Sequence, residues 1–83
     1  MSDYRFTVAG RTSGRETLPS GTTAGTLVAS WDSVPLQILL NVETDSGEVL
    51  YASLDGDARD DGFDFSLSGE TLGVSKLHWI CNF

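Results

Sequence analysis

The sequence predicts an all-β domain, a small antiparallel sandwich or barrel of six to seven short strands. Three observations carry that prediction. Apolar and polar residues alternate with the two-residue period of a strand in several short runs, as in Tyr4-Arg5-Phe6-Thr7-Val8 and Phe63-Asp64-Phe65-Ser66-Leu67. The runs recur about every ten residues between clusters of Gly, Ser, Thr and Asp, a spacing typical of antiparallel β-folds. Finally, Thr44-Asp45-Ser46-Gly47 lies between two alternating runs and carries the composition of a hairpin turn.

Taken in order, Tyr4–Ala9 is a strand of good β-formers with Tyr4, Phe6 and Val8 on one side, and Gly10 ends it. From Gly10 to Gly25 the chain is rich in Gly, Ser and Thr, with Leu18 its one large apolar side chain. Within that stretch Arg15-Glu16-Thr17-Leu18 reads as a short strand returning along Tyr4–Ala9 through a turn at Arg11-Thr12-Ser13-Gly14. A segment this long with so little structure of its own is a candidate contact surface.

Thr26–Trp31 reads as a strand with Leu27, Ala29 and Trp31 on one face. A short helix near residues 23–31, capped by Thr22 or Thr23, is the alternative, opposed by Gly25 and the β-branched Thr26 and Val28. Asp32-Ser33 turns the chain into Val34–Glu43, the densest apolar run, which Pro35 can open but not occupy centrally. Leu36, Ile38, Leu40 and Val42 share one face of it, so it is expected to be the central strand on which the others pair. The hairpin turn then returns Glu48–Leu54, with Leu50, Ala52 and Leu54 toward the core and Val49 and Tyr51 outward.

An acidic loop, residues 55–62, feeds the strand Phe63–Ser68, and Gly69-Glu70-Thr71 turns into a last strand, Val74–Phe83. There Leu77, Trp79, Cys81 and Phe83 share one face and Lys76, His78, Ile80 and Asn82 the other.

Eighty-three residues suit one domain, residues 1–83, near the lower size limit for a chain that folds without staples. One Cys and one His rule out an internal disulfide framework and a structural zinc site, so eight aromatic residues must supply much of the core. No apolar run approaches the ~20 residues of a membrane-spanning helix, and no secretory leader is evident. With its free Cys, the expected location is the reducing cytoplasm.

Charge is divided unevenly. Residues 1–40 balance three arginines against three acids, whereas residues 41–83 set Arg59 and Lys76 against nine acids and so hold the whole net charge of −7. Such a surface repels nucleic acid and anionic membrane and attracts basic protein surfaces.

The candidate binding residues follow from that asymmetry. Asp55, Asp57, Asp60, Asp61 and Asp64 lie within ten residues, and Glu48 and Tyr51 flank them on the preceding strand. Five carboxylates offset by Arg59 alone could dock a Lys/Arg-rich groove, and an outward Tyr51 beside Val49 adds an aromatic contact of the kind enriched in interfaces. Calcium is the competing reading of the loop. Its spacing departs from an EF-hand, however: counted from Asp57, position 3 is Arg59 and position 12 is Ser68.

Two other motifs dissolve on geometry. His78 and Cys81, three apart in a strand, point to opposite faces and cannot converge on a metal or act as a nucleophile and base. Gly10-Arg11-Thr12-Ser13-Gly14-Arg15 has one residue too few between its glycines for a phosphate loop, and Arg where the Lys belongs. No catalytic signature, cofactor motif or metal site is read from the sequence.

The functional expectation is a non-enzymatic acidic domain that binds a basic protein surface. One form would be a phage or mobile-element inhibitor, of the anti-CRISPR type, occupying the nucleic-acid-binding surface of a host complex. The alternative is a structural subunit of a phage particle or other homo-oligomeric assembly, joined through strand edges. A Ca²⁺-dependent binding module is third.

Overall fold

The computed structural model describes residues 3–83, and Asp3 by its backbone only. Seven strands form without a helix among them: β1 (Asp3–Ala9), β2 (Ser13–Leu18), β3 (Ala24–Ala29), β4 (Gln37–Thr44), β5 (Ala52–Leu54), β6 (Gly62–Leu67) and β7 (Ser75–Asn82). They make two sheets, one ordered β1-β3-β6-β5 and the other β2-β7-β4. The expected all-β sandwich is therefore what the chain forms. No helix of the described residues is long and apolar enough to cross a membrane.

The chain changes sheet at every connection except β5–β6, which is the one hairpin. As a result all connections gather at two ends. Residues 10–12, 30–36 and 55–61 meet at one end with Phe83, and residues 19–23, 45–51 and 68–74 lie at the other. β1 and β3, separated in sequence by a strand of the opposite sheet, run parallel.

Both inner faces obey the two-residue alternation. Leu18, Leu27, Phe63, Phe65, Leu77 and Trp79 are fully buried between the sheets, with Val8, Ala29, Trp31 and Cys81 beside them. The aromatic rings form a continuous chain, Tyr4 to Phe6 to Phe65 to Phe63 to Trp31, and Trp31 then meets Trp79 and Phe83 at 6.5 and 5.5 Å. Gly25 makes room for it: a Cβ there would strike the Phe65 ring and the Tyr4 carbonyl. This pairing of a bare strand glycine with a cross-strand ring explains why a helix-breaking residue sits inside β3.

Several expectations about pairing are corrected. The short helix near residues 23–31 does not form; residues 24–29 are a strand between β1 and β6. Val34–Glu43 is not central. Its ordered part, β4, is the edge of the three-stranded sheet, and β7 is the centre. Thr44-Asp45-Ser46-Gly47 is not a hairpin: Thr44 Oγ1 donates to the Glu48 carbonyl at 2.6 Å, and the chain crosses to the other sheet. The physical reason lies in what β7 offers. It pairs with all eight positions of β4 without a register shift, setting Ile38, Leu40 and Val42 opposite Cys81, Trp79 and Leu77, whereas the following segment has only three strand residues.

The pairing expected within the 10–25 segment is likewise corrected. Its strand β2 pairs with β7 and not with β1. Its remainder is knotted to the β6–β7 connection through buried Thr22 and Thr71. Thr71 Oγ1 accepts from Thr22 N at 2.9 Å and donates to the Pro19 carbonyl at 2.8 Å, while Thr22 Oγ1 donates to the same carbonyl at 2.7 Å.

Candidate protein-binding surface

The acidic loop is built on a tight reversal. Arg59 and Gly62 exchange backbone hydrogen bonds, so Asp60 and Asp61 form the tip, and Gly62 takes a φ of +132° that favours glycine. A side chain at Gly62 would also collide with the Leu27 carbonyl. The tip is fastened from behind. The Asp61 carbonyl accepts from Ala29 N and the Asp60 carbonyl from Trp31 N, at 2.8 and 2.9 Å, which leaves both carboxylates turned to solvent.

Arg59 is the internal counter-ion. Its Nε lies 2.9 Å from Asp61 Oδ1 and its Nη1 3.5 Å from Asp64 Oδ2. The hydrogen bond to Asp61, with the nearby Asp64 charge, holds the guanidinium above its ordinary pKa against the opposing cost of burial. Asp64 stands on the outer face of its sheet, where it also accepts from Thr26 Oγ1 at 2.7 Å. Asp55, Asp57 and Asp60 are exposed and have no cation within salt-bridge distance among the described residues.

Of the sequence-derived candidates, the structure thus gathers Asp55, Asp57, Asp60, Asp61 and Asp64 at one end of the sandwich. It does not bring Glu48 and Tyr51 to them. The Glu48 carboxylate accepts from Leu72 N at 3.0 Å, and the Tyr51 backbone pairs with Ser68, both at the opposite end. The span from Asp61 to Ser68 runs along β6, about 20 Å at the usual strand rise. Tyr51 and Val49 are nevertheless outward, 72% and 70% exposed.

Two features of this end were not apparent in the sequence. Asp32 joins the acidic group because Trp31 is hydrogen-bonded to the loop tip. Beside it, Gly10, Thr12, Ser30, Trp31, Asp32, Ser33 and Phe83 line an open cleft of about 400 Å³. The cleft is assembled from two connections and Phe83, far apart in sequence, and no local pattern marks it.

No group of three or more His, Cys, Asp and Glu residues capable of holding a metal occurs among the described residues, and Arg59 lies between Asp61 and Asp64 where a cation would sit. The Arg59 guanidinium thus occupies the space between two of the five loop carboxylates. Cys81 is buried in the core, and burial pushes its thiol up to about 11. His78 faces the other way, 2.8 Å from Glu43.

No known family model matches this chain, and no curated protein or solved structure shows significant similarity to it.

Proposed function

We propose that this is a non-enzymatic protein-binding domain whose acidic end docks a Lys/Arg-rich surface of another protein. One observation carries the reading: Asp32, Asp55, Asp57, Asp60 and Asp61 are all exposed at one end, and Arg59, the one cation of the 55–64 segment, is already engaged by Asp61 and Asp64. Charges of one sign at the end of a compact body steer a basic partner and raise its association rate. The adjoining Trp31–Phe83 cleft can take an apolar or aliphatic stem from that partner, since Lys and Arg carry such stems beneath their charges. An inhibitor that covers a basic nucleic-acid groove is one form of such a domain, and the charge and size of this chain suit it.

The test is capture of a partner from lysate on the immobilised protein at low and raised salt, with a triple variant D57N/D60N/D61N alongside. Partner retention should fall at least about tenfold in the variant and decline with ionic strength. Retention that ignores both would overturn the reading. The three carboxylates are exposed, so the variant should keep the fold.

A further inference from the structure

We propose that the free edge of β4 is a homodimer seam, on which a second copy of this chain pairs its own β4 antiparallel about a two-fold axis at Leu39. This does not rest on the acidic end.

β4 terminates its sheet, and no strand of the described residues pairs with its other side. An open edge is a template for another strand, and proteins usually guard it with charge, proline, a bulge or brevity. β4 has none of these guards along its centre. It is eight residues long, pairs with β7 without a register shift, and carries no charge, proline or glycine from Leu36 to Val42. The other edges are guarded: β5 has three residues, β2 contains Gly14, Arg15 and Glu16, and β1 carries Arg5 and a register shift after Thr7.

Apolar surface collects at the same edge. Leu36 is 85% exposed and Leu39 50%, and Ile80, opposite Leu39 on β7, is 48% exposed. On the core-facing side Ile38, Leu40 and Val42 are only half-buried, because the facing edge strand β5 is too short to cover them.

The choice of a second copy follows from the strand being complementary to itself. Opposed residues of an antiparallel pair share a face. An axis at Leu39 sets Leu39 on its own copy and Gln37 on Asn41 outside, and Ile38 on Leu40 inside. Every pair is apolar on apolar or amide on amide. Moving the axis to Leu40 would set Leu39 on Asn41 and Gln37 on Glu43. Global charge agrees with this arrangement. β4 begins at the acidic end, so antiparallel pairing carries the two acidic loops to opposite ends of the dimer, where screening over about 10 Å removes their repulsion. The nearest charge to the seam, Glu43, is hydrogen-bonded to His78.

Light scattering on the eluting full-length protein, over a range of concentrations, should find a dimer that Leu39→Lys weakens at least about tenfold, because it sets like charges opposite each other at the axis. Leu39 is half exposed on the outer face, so the variant should still unfold cooperatively. The register is read separately by mild oxidation of single-cysteine variants. Leu39→Cys should form a disulfide-linked dimer, whereas Gln37→Cys, displaced from its copy by about 13 Å along the strands, should not. Native Cys81, buried with a raised thiol pKa, gives little background. The D57N/D60N/D61N variant should dimerise like the native chain, which separates this inference from the acidic-end reading. A monomer at all concentrations, a dimer indifferent to Leu39→Lys, or equal crosslinking at positions 37 and 39 would overturn it.

Discussion

Glu16 illustrates how single residues are committed in this small core. Its Oε2 accepts from the buried indole of Trp79 and from Arg11, each at 3.2 Å, while Gly14 keeps the space beneath them clear. Removing the acceptor leaves the Trp79 N–H without its partner, a loss of about 1–3 kcal/mol. Glu16→Leu should therefore lower the urea midpoint clearly, and Glu16→Gln, which keeps an acceptor oxygen, should lower it less; equal midpoints would contradict this account. Cys81 gives a second residue-scale expectation. Its thiol pKa is about 11 in the fold against 9.0 ordinarily, so the unfolded chain loses its proton first as pH rises. The stability this group contributes is complete below about pH 9 and is lost as pH climbs through about 11. The difference in unfolding free energy between the native chain and Cys81→Ala should shrink across that window, and a pH-independent difference would contradict burial as the cause.

At the scale of the elements, strands were legible and partners were not. Alternation alone identified the inward faces of β3, β6 and β7, because a period of two survives any choice of partner. It also separated His78 from Cys81. Thr44–Gly47 shows where that reasoning stops: a hairpin and a crossing between sheets use the same polar, glycine-containing turn. The outcome was decided by β7, about thirty residues downstream. Asp32 and the 55–61 loop share an end for the same reason, through a backbone bond between Trp31 and Asp60 that no local spacing encodes. Residues 10–25, which offer the sequence reader only Leu18 as a large apolar side chain, are held partly by the Thr22–Thr71–Pro19 bonds, where hydroxyls replace the missing apolar side chains. Thr71→Val keeps the shape and removes the acceptor of Thr22 N. It should cost about 1–3 kcal/mol of stability in denaturant unfolding. Thr71→Ser, which retains the hydroxyl, should recover most of that loss, and failure to do so would point to packing rather than to the bond.

The whole molecule is organised by pairings that are remote in sequence. β5–β6 is the one hairpin; β1 waits for β3, β2 and β4 wait for β7, and β3 waits for β6. Each of these closures fixes a long loop before the buried rows of Leu, Phe and Trp reward it, and that ordering cost falls on the folding barrier. β7 is the extreme case. It is the centre of its sheet yet comes last of the seven strands, so neither β2 nor β4 has a strand partner until residues 75–82 join them. Refolding followed by the fluorescence of Trp31 and Trp79, both buried at the sheet interface, should accordingly proceed on the millisecond-to-second scale despite the small size of the domain. Leu77→Ala, at the middle of β7 opposite Glu16 and Val42, should slow refolding as well as weaken the fold by about 2–5 kcal/mol, because both neighbours assemble on that position. A microsecond refolding phase carrying the full amplitude would mean that local hairpins, and not the remote β7 pairings, build this sandwich.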